Sequence, residues 1–204
     1  NANTINAYTT GQVTLTAVQD TVANITSIDG LTTSEVTMAA ATATITDAGA
    51  SKANLDTVNG FTSADVTATS ISETRANIDI LEGTTGISLA ATNITVTDQV
   101  TKTQADTING YTTGAVVLNS SSMSVADLAT VEALDDGVMK FADAGAISVS
   151  DAATLANANT INAYTTGQVT LTAVSDTVAN VTSIDGLTTS EVTMAAATAN
   201  ITDA

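Results

Sequence analysis

The sequence predicts an α/β repeat protein: a solenoid with short strands in a parallel sheet and short helices, about 26 residues to the coil. Three observations predict it. Residues 157–204 repeat residues 1–48 without a gap at an offset of 156, differing only at Gln19 against Ser175, Ile25 against Val181 and Thr44 against Asn200. The residues between carry weaker copies of the same strand, helix and glycine pattern. The composition, 44% hydrophobic but only 2% aromatic and without proline, suits thin regular layers rather than one thick core.

The acidic residue after each apolar–polar (or apolar–Ala) pair marks the coils, at Asp20, Asp47, Glu73, Asp98, Asp127, Asp151, Asp176 and Asp203. The gaps are 27, 26, 25, 29, 24 and 25 up to Asp176, together the 156-residue period. Six coils thus form one super-repeat, 1–156, which restarts at 157–204 within a single continuous 1–204 fragment, read as an internal piece of a longer chain. Each marker is followed by a short segment closed at Gly30, Gly60, Gly83, Gly110, Gly137 and Gly186, with Ala7 and Ala163 as exceptions. Marker-to-closure distances alternate between 10 and 12 or 13, so two coil types alternate. Within the segment apolar residues recur every third position, as in Val22, Ile25, Ile28 and Leu31 and again in Val178, Val181, Ile184 and Leu187. An acidic N-cap and a closing glycine predict a short helix. The period of three also fits a 3₁₀ turn or a solenoid corner, and an all-β solenoid is the alternative fold.

After the closure come Thr/Ser-rich turns, such as Thr112-Thr113-Gly114, and then alternating strands: Val13–Thr16, Val36–Met38, Val66–Ala68, Ile87–Leu89 and Ile147–Val149. Longer coils add a second strand-like run before the marker, as in Thr44–Thr46 and Ile94–Thr97. The segment Val138–Gly145 fits the pattern poorly and reads as a bulge or surface loop. The column just after the closure holds Tyr8, Phe61, Tyr111 and Tyr164, four of the five aromatic residues. It reads as a core ladder, or as a stacking platform for a ligand.

The formal charge is −17, from 4 basic and 21 acidic residues. It argues against nucleic acid as a partner and against anionic membrane surfaces. No apolar run approaches the ~18 residues of a membrane span. Without His or Cys the usual acid–base and nucleophilic constellations are missing, and a site inside a repeat would be copied with it; the expectation is no enzyme. The marker column Asp20, Asp47, Glu73, Asp98, Asp127, Asp151, Asp176 and Asp203 is the candidate site. Stacked carboxylates would offer oxygen ligands to structural Ca²⁺. The alternative role for each acid is a helix N-cap. No other cofactor is expected. Asp29, Glu132, Asp135, Asp136 and Asp185 read as a solvated face.

Three of the four basic residues, Lys52, Arg75 and Lys102, share a column, where they pair with marker acids (Glu73 with Arg75, for example) or bind an anionic polymer. Asn24, Asn54, Asn77, Asn157 and Asn180 share another, read as a hydrogen-bonded ladder. Outward Thr/Ser pairs, as at Thr14 and Thr16 or Thr170 and Thr172, keep an ice-binding solenoid as a lesser alternative.

The stretches Ile147-Ser-Val-Ser-Asp-Ala-Ala-Thr-Leu, Asn159-Thr-Ile-Asn-Ala-Tyr-Thr-Thr-Gly and Ser175-Asp-Thr-Val-Ala-Asn resemble the Thr/Ala/Asp-rich repeats of giant bacterial, particularly cyanobacterial, cell-surface and adhesin-type proteins. The resemblance implies secretion, an extracellular or cell-surface place and a structural or adhesive role. The expectation is a filament, sheath, surface layer or stalk that self-associates end to end or side by side. An adhesin stalk binding a surface or polysaccharide is the alternative.

Overall fold

The computed structural model describes residues 6–31, 36–134, 136–187, 191–194 and 196–203. The fold is α/β. Among the described residues it has seven α-helices: α1 Val22–Asp29, α2 Lys52–Asn59, α3 Arg75–Glu82, α4 Lys102–Asn109, α5 Val125–Glu132, α6 Leu155–Asn162 and α7 Val178–Gly186. The strands are β1 Val13–Thr14, β2 Ala17–Asp20, β3 Val36–Thr37, β4 Thr42–Ile45, β5 Val66–Ala68, β6 Ser70–Glu73, β7 Asn93–Val100, β8 Val116–Met123, β9 Met139–Ala153, β10 Val169–Asp176, β11 Val192–Thr193 and β12 Thr198–Ile201. These helices set aside the all-β alternative and the 3₁₀ reading, since bonds such as Ile25 N–H to Thr21 O (2.9 Å) span four residues. Among the described residues no helix is long and apolar enough to cross a membrane.

The chain divides into two compact units, residues 1–94 with 111–114, and residues 95–110 with 115–204. In the first, β1 pairs with β3 and β2 with β4, which pairs with β5, all parallel. In the second, β8 pairs with β9 and β9 with β10, whose two halves pair with β11 and β12, again all parallel. Each of these pairings joins a strand to one that follows or precedes it by about one coil, so apolar residues stack on apolar ones: Ala43 on Val66, Ile147 on Val169, Val149 on Leu171. Thr stacks on Thr on the other face, where the Thr44 and Thr67 hydroxyls lie 3.1 Å apart.

The helices bury narrow faces against these strands: Leu55 and Val58 in α2, Ile78 and Leu81 in α3, Leu128 and Val131 in α5. The period-three sets are buried only in part. Ile25 and Ile184 are fully covered, whereas Val178 is 55% exposed. An α-helix turns 100° per residue, so positions three apart drift off the face within two turns.

Helix closure differs from the expectation. Gly30, Gly60, Gly83 and Gly110 do follow their helices, but with right-handed φ between −61° and −82°. That conformation asks nothing special of glycine, and Ala133, Ala163 and Leu187 do the same work. α5 therefore ends at Ala133, not at Gly137.

The glycines that matter lie in the turns. After the closure a buried threonine donates to a carbonyl of the preceding repeat: Thr62 to Ala41 O (2.6 Å), Thr112 to Thr92 O (2.7 Å), Thr165 to Gly145 O (2.6 Å). Its hydroxyl also accepts from the N–H two residues on, at Ala64, Gly114 and Gly167. This draws the turn so close that a Cβ on Gly114 would meet Thr92 O at 2.5 Å, and one on Gly167 would collide with the Ala144 and Gly145 carbonyls.

Two further expectations change. The column after the closure is no core ladder: Tyr8 is 84% exposed, and Phe61, Tyr111 and Tyr164 are half-buried. Phe141, by contrast, is buried and stacks on Tyr164, with ring centroids 6.2 Å apart and planes 8° from parallel. It enters the core because β9 bulges: Leu118 pairs with Phe141 but Ser120 with Ala146, so residues 142–145 loop out.

Gly167→Ala is expected to cost about 1–3 kcal/mol through overpacking against backbone. Gly186→Ala, with nothing within 4 Å of the added methyl, is expected to be neutral or to stabilise by up to about 1 kcal/mol. Urea titrations of the two variants check the contrast.

Candidate functional site

Each of the seven helices described above begins on a hydroxyl. The N-caps of α1 to α7 are Thr21, Ser51, Thr74, Thr101, Ser124, Thr154 and Thr177, each extended in backbone and each accepting from the N–H three residues on. This corrects the N-cap role expected for the marker acids. The hydroxyl-to-closure distance is 9 residues in α1 to α6 and 10 in α7, which closes at Leu187. The alternation seen from the acids therefore lies in where the acid stands, not in helix length.

In one coil type the acid immediately precedes the cap: Asp20, Glu73 and Asp176. Each accepts from the cap's own N–H, at 2.8 Å (Thr21), 3.3 Å (Thr74) and 2.9 Å (Thr177). Each also accepts from the amide of the asparagine four residues on: Asn24 and Asn77 at 2.7 Å, Asn180 at 2.8 Å. In the other type a capping box replaces the acid. The side chains of Asn54, Gln104 and Asn157 reach back to the N–H of Ser51, Thr101 and Thr154. Asp47, Asp98 and Asp151 then stand three or four residues ahead of the cap. Asp127 belongs to neither, being the third residue of α5, and its false match made the irregular gaps of 29 and 24. The asparagine column is accordingly a set of local caps and acid partners instead of a ladder between coils.

The acids do more than support their own helix. Five of them also take the first N–H of the helix one repeat earlier: Asp47 from Val22 (2.7 Å), Glu73 from Lys52 (2.7 Å), Asp151 from Val125 (2.8 Å), Asp176 from Leu155 (2.9 Å) and Asp203 from Val178 (3.0 Å). The first turn of a helix has no internal partner for its N–H groups and carries the positive end of the helix dipole. A carboxylate there makes a charge-assisted bond. A carboxylate on the next repeat therefore completes the helix before it.

The electrostatics agree. Bonds from Asn24 and the Thr21 N–H hold the Asp20 carboxyl below its ordinary pKa, and the Leu155 N–H, Asn180 and the Thr177 N–H do so for Asp176. At Glu73 desolvation pushes upward, but Asn77 and the Lys52 and Thr74 N–H groups together outweigh it and lower the pKa.

The eight marker acids form no common metal cage: among the described residues no three metal-ligating side chains gather at one point. The basic column pairs within its own helices, not with the markers: Lys52 with Asp56, Arg75 with Asp79 (3.0 Å) and Lys102 with Asp106 (2.6 Å), each four residues on. Such exposed pairs add about 0.3–0.5 kcal/mol each. Of the acids read as a solvated face, Glu132, Asp136 and Asp185 are exposed and Asp29 is half-buried, while Asp135 lies outside the described residues. Some outward hydroxyls bond the backbone; Thr172, for instance, donates to Val149 O at 2.7 Å.

These features define a class: an α/β protein of parallel strands, in which strand pairs and helix-start bonds recur within each of its two units. Comparison with protein-family models, with curated proteins and with solved structures finds no match to this chain.

A folded-state pKa below the unfolded value means stability that is present above the unfolded pKa and is lost as pH falls through the folded one. Glu73→Gln is expected to cost about 1 kcal/mol at neutral pH, a charge-assisted bond discounted for its solvent exposure. That difference should close as pH drops below about 4. Thermal melts of both proteins from pH 7 to pH 2–3 (roughly the range in which carboxylates titrate) check it. A difference that is constant with pH would rule out the carboxylate as its source.

Proposed function

We propose that this chain is a section of an extracellular structural repeat protein, a solenoid of 156-residue blocks serving as filament, sheath, surface layer or stalk. The observation that carries the reading is a repeated register. Val13 pairs with Val36 and Thr14 with Thr37; 156 residues on, Val169 pairs with Val192 and Thr170 with Thr193. Ala17 to Asp20 pair with Thr42 to Ile45, and Ala173 to Asp176 with Thr198 to Ile201. The stitch from Val22 to Asp47 recurs from Val178 to Asp203.

The junction between blocks is an ordinary step of the same kind. β9 of one block pairs in parallel with β10 of the next, and Asp176 takes the first N–H of α6. A chain whose block boundary bonds like any other step can be lengthened by whole blocks without creating a new kind of interface. Repetition of sequence on the outward faces also suits a mechanical role, because a binding surface needs distinct residues at one place. Catalysis has no part in the proposal.

The test is length. Proteins of one, two and three covalent blocks, measured by small-angle scattering, are expected to lengthen in equal steps of roughly 29 Å, six strand spacings per block. Steps that shrink with block number, as in a globule, would overturn the reading. Repeating the measurement in EDTA decides whether calcium belongs to it: unchanged lengths and melting points remove calcium, and collapse restores it.

A further inference from the structure

The segment that breaks the repeat pattern, Val138–Gly145, builds one wall of a groove within the second unit. The groove has a volume of ≈ 370 Å³, within the range of small-molecule sites. It draws on three successive coils: Asp143 from the β9 bulge, Asn162 to Thr166 from the end of α6 and its turn, and Glu191 from the residue before β11. In the first block the following coil lays its turn on Ala41, through the Thr62 hydroxyl. The counterpart of Ala41 is Ala197, which is no part of this groove, so a further repeat stacked on β12 would seat its turn outside it.

Tyr164 is held in the groove by a stack: Phe141 lies against its ring, with centroids 6.2 Å apart. The Thr165 hydroxyl donates to Gly145 O (2.6 Å) and that of Thr166 to Asp143 O (2.8 Å), which fastens the turn to the bulge. Glu191 accepts from the Asn162 amide at 3.2 Å. The charge along the groove is of one sign, from the Asp143 and Glu191 carboxylates, with no basic side chain among the described lining residues. Lys140, the basic residue of the segment, is paired with Asp136, 3.9 Å away. Burial and the charge of Glu132 raise the Tyr164 pKa, and the second of these causes places the ring in a negative field.

We propose that this groove binds a small organic amine in its protonated form, with the ammonium group at the Asp143 and Glu191 carboxylates and the carbon chain along the Tyr164 ring. A cleft of one sign concentrates counter-ions, and an aromatic face attracts a cation beyond what the carboxylates supply. The stacked ring and the fastened turn are already ordered, which lowers the cost of binding. A bare divalent ion suits the site less, because calcium needs several oxygen ligands and among the described residues no three metal-ligating side chains gather at one point. The inference is independent of the filament reading, since an array of mechanical repeats can carry such a groove.

Proton NMR of the 204-residue chain titrated with cadaverine at ~0.15 M salt tests this. The Tyr164 ring resonances, assigned by their loss in Tyr164→Phe, are expected to shift saturably. Those of Tyr8 and Tyr111 are expected to stay in place, although Tyr111 also stands beside carboxylates and donates its hydroxyl to Asp79. Asp143→Asn and Glu191→Gln, both at exposed positions, are each expected to weaken binding about two- to fivefold and together about tenfold. Asp65→Asn combined with Glu82→Gln removes the same charge from exposed positions elsewhere and is expected to leave binding unchanged. Pentanediol, the same chain without the charges, is expected not to bind. Equal shifts at all three tyrosines, or an equal loss in the control pair, reduce the effect to diffuse attraction by an acidic chain and overturn the site. The absence of a saturable Tyr164 shift overturns it too, as does a diol that binds as tightly as the diamine. Displacement of cadaverine by calcium chloride at equal concentration overturns the amine in favour of a metal ion.

Discussion

The first N–H groups of a helix need acceptors, and an eight-residue helix cannot supply them. With so short a run the unsatisfied first turn is nearly half of the element. Here a carboxylate on the next repeat supplies the acceptor, as Asp47 does for Val22 and Asp176 for Leu155. Helices α1, α2, α5, α6 and α7 are therefore complete only when the following repeat is in place. Stability of one repeat and stacking of the next become the same event, which is the energetic condition for a nearest-neighbour array.

The two coil types are two solutions to one count of donors. The cap residue's own N–H must also be satisfied. Where Asp20, Glu73 or Asp176 stands next to the cap, its carboxylate takes that N–H and the asparagine at the third helical position turns to the acid. Where that place holds Ala50, Val100 or Ala153, the Asn or Gln at the third position bends back to the cap itself. The displaced acid then comes from a few residues upstream, and in Asp47 and Asp151 it still reaches the earlier helix.

The turns solve the packing problem that a core almost without aromatics creates. Small apolar side chains fill thin layers only if successive backbones run close together. The buried hydroxyls of Thr62, Thr112 and Thr165 pull each turn onto the carbonyls of the repeat before it, and Gly114 and Gly167 let the backbones approach. Threonine abundance thus has an inward as well as an outward cause: β-propensity on the open face, and repeat-to-repeat bonds at the turn.

The helices, most of the strands and their parallel α/β class were legible because periodicity, alternation and duplication are local or exactly copied features; the expected strand Ile87–Leu89 is reduced to a single bridge from Ile87 to Val66. The cap was not, because an acid and a hydroxyl are both good N-caps and here they often stand side by side. A better signal was present: Ser or Thr followed three residues later by Asn, Gln or Asp at all seven helices, from Thr21 and Asn24 to Thr177 and Asn180. Other features had no one-dimensional sign. That Asp47 serves Val22, 25 residues away, depends on a parallel register that brings a strand end over a helix start. That Phe141 is buried while Tyr8 is exposed depends on a four-residue bulge and on which faces another strand covers. The sequence by itself determined the repeat, its elements and its acidity, since these follow from short-range chemistry and copying. Only the tertiary structure decided which repeat each carboxylate serves, because that is a matter of stacking.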